Sequence, residues 1–90
     1  MSAFGPDNLG VFVCQHVFAQ ERPILFVVHM DGDWQFLCGE VHEESDLPRH
    51  VGVGHLLQRD PTLHSIAHIP DGASAERQSV EHAWVCETLP

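Results

Sequence analysis

The sequence predicts an α+β domain, with a small, mostly antiparallel sheet of about five strands and one or two short helices between the third and fourth strands. Three observations predict it. Residues 24–38 hold two strand-like runs on either side of Asp31-Gly32, a hairpin pattern. Residues 53–67 instead place their apolar side chains at helical spacing around an Asp60-Pro61 step. A chain of 90 residues that is 43% hydrophobic and 19% charged has the composition of a globule with one modest core. One domain over residues 1–90 is therefore expected, with 1–9 as a loosely ordered arm. A small, partly open barrel is the alternative architecture.

The elements follow in order. Residues 11–14 are apolar throughout and read as a first strand covered on both faces. The polar stretch 15–22 has room for one helical turn around Val17 and Phe18. Pro23 then opens the strand 24–29, rich in β-branched and aromatic side chains. Asp31-Gly32 supplies a turn in which Gly takes a positive φ at no steric cost. Trp34, Phe36 and Cys38 alternate with Gln35 and Leu37 in the returning strand. Residues 39–50 read as a long polar loop. Leu56-Leu57 centres a short helix over 53–59, which Asp60-Pro61 ends. The same pair starts another, because Asp is a favoured N-cap and Pro suits the first helical position. Leu63, Ile66 and Ala67 then share one face. Pro70-Asp71-Gly72 is a turn, and two weaker strands, 73–78 and 83–87, complete the sheet, the second carrying Trp84.

Charge excludes whole classes of function. Thirteen acidic residues against four Arg and no Lys give a formal net charge of -9. Nucleic-acid backbones and anionic membrane surfaces are bound by cationic side chains, so neither is an expected partner. The first ten residues hold no basic residue and no apolar run, so no signal peptide is expected. The longest apolar run, 24–28, falls far short of the roughly 20 residues of a spanning helix. The expected location is the cytoplasm. Cys14, Cys38 and Cys86, odd in number and widely spaced, fit free thiols better than a disulfide framework.

Catalytic signatures fail one by one, and no catalytic residue is assigned. Without Lys there is no P-loop, Schiff base or Ser-Lys dyad. Gly52-Val53-Gly54 opens like a dinucleotide loop, but Leu57 stands where a third Gly is needed. His42-Glu43-Glu44 opens like a zinc-protease motif, but its fifth position is Asp46 rather than the second His. No Ser sits in a Gly-x-Ser-x-Gly elbow. Cys14 with His16, Cys38 with His42 and His82 with Cys86 are pairs of zinc-type ligands, yet no Cys-x-x-Cys accompanies them. The thiols share strand faces with Phe12, Trp34, Phe36 and Trp84, so they read first as small core side chains. Zinc ligation, redox chemistry and a Cys/His-dependent enzyme built on Cys38 and His42 are the alternatives. The expectation is a protein without metal or cofactor. Protonation of all eight His would move the formal charge from -9 to -1, which follows from composition and marks no sensor.

The acidic segment carries the functional expectation. Asp31, Asp33, Glu40, Glu43, Glu44 and Asp46 fall within sixteen residues that contain no Arg. As a solvated face they keep the protein soluble; as a steering surface they attract a basic protein. On the second reading Glu40, Glu43, Glu44 and Asp46 bind the partner, with Trp34 as the aromatic anchor.

Three strings, Gly10-Val11-Phe12-Val13-Cys14, the run from Asp31 to Gly39, and the run from Gly54 to Pro61, resemble in their order a bacterial domain family of unassigned function. Some of its members look like immunity proteins encoded beside polymorphic toxins. The resemblance covers roughly residues 10–80, and the Asp-Gly-Asp-Trp hairpin and the helix-Asp-Pro step are its most specific parts. Where the family often has Ser-Gly-Trp and an acidic stretch, this chain has Gly-Asp-Trp and a shorter loop containing His42. The resemblance implies a binding role, and no catalytic residues are carried over from it.

Overall fold

The structure, a computed structural model, describes Phe4, residues 8–39 and residues 49–88. Its elements are β1 (Gly10–Val13), α1 (Gln15–Phe18), β2 (Phe26–Met30), β3 (Asp33–Leu37), β4 (Arg49–Gly52), α2 (Val53–Arg59), a 3₁₀ helix (Pro61–Ile66), β5 (Ala73–Glu76) and β6 (Val85–Thr88). The fold is α+β, as expected. The sheet has six strands in the order β4-β1-β3-β2-β5-β6, and it is mixed, because β1 runs parallel to β3 while every other pair is antiparallel.

The sixth strand, β4, lies at the end of the stretch expected to be loop. Its burial is weak, with Arg49 and His50 exposed, so it has no hydrophobic alternation to read. It forms because β1 offers a free edge, pairing Gly10 with Gly52 through Val13 with Arg49. The strands also differ in extent from their expected bounds. Trp84 stands just before β6, and all four residues of β6 are exposed.

Strand pairing decides which side chains share a face. Val13, Phe36, Val27 and Ala75 lie in one row across the sheet, beside a second row of Val11, Trp34, His29 and Ala73. Apart from half-buried His29, these residues are all buried. Val17, Val53, Leu56, Leu57, Leu63 and Ile66 from the helical segments join the same core. Phe4 places its ring edge-on against Trp34 at 4.8 Å and against Phe36 at 5.8 Å.

The turns form as the sequence requires. Asp31 and Gly32 both take positive φ, 55° and 80°, the two-residue hairpin turn whose twist matches the strands it joins. The Asp71 carboxylate, from the facing turn, accepts the Asp31 N–H at 3.1 Å and the Gly32 N–H at 2.6 Å. Asp60 caps the 3₁₀ helix by accepting the Thr62 N–H, and Pro61 occupies the first helical position. Behind it, Arg77 donates from Nη2 to Asp60 and from Nε and Nη2 to the Ile24 carbonyl. This guanidinium stacks 4.2 Å from the Trp84 ring centroid and ties β5 to the helical layer.

Candidate functional site

The parallel pairing of β1 and β3 has a chemical consequence. Parallel strands end on the same side of a sheet, and the register Val13 with Phe36 puts the ends of these two side by side. Cys14 is the first residue after β1, and Cys38 the first after β3. Both are buried, Cys14 at 7% exposure and Cys38 at 2%. The chain turns into α1 immediately after Cys14, which places half-buried His16 above the pair. The His16 Nδ1 lies 3.5 Å from the Cys38 Sγ, and the ligand atoms of Cys14, His16 and Cys38 all lie within 4.8 Å of one another.

Backbone bonds hold this arrangement. The Phe18 N–H donates to the Cys14 carbonyl and the Glu21 N–H to the His16 carbonyl, both at 2.9 Å, so α1 and the turn after it set where His16 stands. On the other side, the Leu25 N–H donates to the Leu37 carbonyl at 2.9 Å, keeping β3 paired up to the residue before Cys38. The two thiols contribute sulfur and the imidazole nitrogen, and among the described residues no carboxylate belongs to the group.

The expected pairs are therefore rearranged. Cys14 and His16 stay together, but the imidazole beside Cys38 is His16, twenty-two residues away in sequence. His42 lies outside the described residues, as do Glu40, Glu43, Glu44 and Asp46. Cys86, the partner expected for His82, is exposed on β6, and the His82 Nδ1 lies 2.7 Å from the Ser79 Oγ. Trp34 is buried at 8% exposure and stacks on His29 at 4.0 Å, so its indole serves the core and presents little area to a partner.

A cleft of about 650 Å³ adjoins the cluster, with Leu25, Cys38, Glu76, Arg77, His82 and Val85 in its walls. It brings a thiol, an imidazole and a carboxylate to one place, the composition a Cys-dependent enzyme needs. The bonding does not follow that pattern. His82 spends its Nδ1 on Ser79, and the Arg77 guanidinium is bound to Asp60, Thr62 and the Ile24 carbonyl. Among the described residues, no nucleophile–base–carboxylate chain is assembled in the cleft.

The charged surface is the second feature. Asp31 and Asp33 sit on the hairpin end, and Asp71 is drawn to them by its bonds to the turn amides. All three are exposed. The His29 Nε2 is 4.0 Å from the Asp71 carboxylate, an ion pair only when the ring is protonated. Three of the four arginines make contacts elsewhere in the molecule. Arg77 is buried against Asp60, Arg59 donates to the Val17 and Arg22 carbonyls at 2.7 Å, and Arg49 donates to Gln15 while lying over the Phe18 ring.

No helix among the described residues is long and apolar enough to cross a membrane. Compared with family models, with curated proteins and with solved structures, the chain matches none of them.

Proposed function

We propose that this protein is a non-catalytic, acidic protein-binding module of the immunity type. It acts in the bacterial cytoplasm by covering a basic face on a partner protein such as a toxin. The observation that supports this reading is the distribution of charge. Asp31, Asp33 and Asp71 gather, exposed, at one end of the sheet, while Arg49, Arg59 and Arg77 are committed to contacts within the molecule. With thirteen acidic residues against four Arg, the field seen by an approaching molecule is dominated by carboxylates, and it accelerates encounter with a positive surface. Glu40, Glu43, Glu44 and Asp46 follow the hairpin in sequence and add charge of the same sign. The resemblance to immunity-type domains points to the same class of partner.

The test is capture from a native extract of the source cell at low and high salt, followed by a stopped-flow salt series with the captured protein. Two double variants, Asp31→Asn/Asp33→Asn and Glu43→Gln/Glu44→Gln, accompany the wild type. The expected partner is basic, and its on-rate falls with added salt and falls again in the variants, while dissociation changes less. Capture of neutral or acidic proteins alone, or on-rates indifferent to salt and to both substitutions, would reject the proposal.

A further inference from the structure

We infer that Cys14, His16 and Cys38 form a binding site for one zinc-type divalent ion. This goes beyond the protein-binding reading and does not depend on it. It also departs from the expectation of a metal-free protein, which rested on the sequence spacing of Cys and His and on the thiols sharing strand faces with core aromatics.

The argument begins with distance. In tetrahedral zinc sites the metal lies about 2.3 Å from sulfur and about 2.0–2.1 Å from nitrogen, so neighbouring sulfur and nitrogen ligands stand about 3.5 Å apart and two sulfurs about 3.8 Å apart. The His16 Nδ1 and Cys38 Sγ are separated by 3.5 Å, and no pair in the group exceeds 4.8 Å. Closing the longer edges requires side-chain shifts of about 1 Å, within the reach of small χ1 changes.

Chemistry narrows the ion. Two sulfurs and an imidazole nitrogen are soft to borderline donors, which suit zinc and reject calcium and magnesium, whose ligands are oxygens. Charge supports the same choice. Binding requires both thiols as thiolates, and a divalent cation with two thiolates and a neutral imidazole sums to zero. A neutral assembly can sit where Cys14 and Cys38 are buried, whereas a lone thiolate there would be costly. The described residues supply three donors, so the fourth tetrahedral position falls to an additional ligand.

The competing account of the same geometry is a thiol donating a hydrogen bond to an imidazole inside an ordinary core. Metal titration of the full-length, reduced, metal-free protein separates the two. Under anaerobic conditions one equivalent of cobalt(II) is expected to produce thiolate-to-cobalt charge-transfer absorption with visible bands of tetrahedral intensity. Zinc should then bleach both by displacement. Cys86→Ser, which alters the exposed thiol, should retain the signal at full stoichiometry. Cys14→Ser and Cys38→Ser should lose the charge-transfer band or halve it, and His16→Ala should weaken zinc binding at least tenfold. Near-ultraviolet circular dichroism checks the fold of each variant. If the buried Cys variants do not fold, His16→Ala decides the matter, because it leaves both thiols in place. Absence of the charge-transfer band in the wild type, its persistence in both buried Cys variants, or unchanged affinity in His16→Ala would overturn the site.

Discussion

At Arg77 a guanidinium with 1% of its side chain exposed is held by an Asp60 carboxylate, a Thr62 hydroxyl and a main-chain carbonyl. Burial pushes the Asp60 carboxyl up, but hydrogen bonds from Thr62 and Arg77 and the guanidinium charge outweigh it, so the group titrates below its ordinary 3.8. The sign of the linkage follows. A carboxyl depressed in the folded state contributes stability that is complete above 3.8, declines as the pH falls below that value, and is gone beneath the folded value. Asp60→Asn should therefore flatten the acid limb of a stability–pH curve measured by urea unfolding. At pH 7 it should cost about 1.5–3 kcal/mol, the worth of a hydrogen bond to a charged group. An unchanged acid limb would mean that other carboxylates govern acid unfolding. Phe36 presents the apolar counterpart. It is fully buried between Val13 and Val27, so Phe36→Ala should cost about 3–5 kcal/mol in chemical denaturation. A loss below about 1 kcal/mol would show that the core closes over the gap.

At the scale of elements, local chemistry was readable and long-range pairing was not. Asp31-Gly32, Asp60-Pro61 and Pro70-Asp71-Gly72 act within a few residues of themselves, so their turns and caps follow from side-chain type. The helix over 53–59 is equally local, carried by Val53, Leu56 and Leu57. By contrast, β4 depends on an edge supplied by β1 some forty residues earlier, and Arg49 and His50 give no hydrophobic signal of it. The Cys14–His16–Cys38 cluster escapes a reading of spacing for the same reason. It needs the parallel β1–β3 register, and no motif of fixed length encodes that. The two kinds of glycine make a test of the element scale. Gly32 has φ 80° with open space where a Cβ would stand, so Gly32→Ala pays only for the left-handed backbone, about 1–2 kcal/mol. Gly10 begins β1 with open space and an ordinary φ, so Gly10→Ala should be neutral or stabilising by up to about 1 kcal/mol. Thermal unfolding of the pair checks both signs, and equal destabilisation by the two would contradict the turn assignment.

At the scale of the whole molecule, the net charge of -9 acts on a body about 31 × 28 × 28 Å across. At about 0.01 M ionic strength the screening length is roughly 30 Å, so each carboxylate feels every other across the full width of the fold. At about 0.15 M it is roughly 8 Å, and only neighbours such as Asp31, Asp33 and Asp71 remain coupled. The unfolded chain spreads the same charges farther apart, so repulsion weighs on the folded state most heavily at low salt. The opposing attraction is small in number, because few cations are present, and the Arg77–Asp60 pair is shielded from salt by burial. Adding sodium chloride from about 0.01 to 0.15 M should therefore raise the melting temperature, with most of the gain complete by the upper concentration. Lowering the pH toward the sequence pI of about 5.1 should give a similar gain at low salt, since the net negative charge vanishes there while the pH stays above the range in which the Asp60 contribution is lost. The salt effect should then shrink, because little net charge is left to screen. A melting temperature that falls with salt at pH 7 would show that attractive pairs, rather than the carboxylate excess, dominate the surface. It would also remove the physical basis for steering a basic partner by charge.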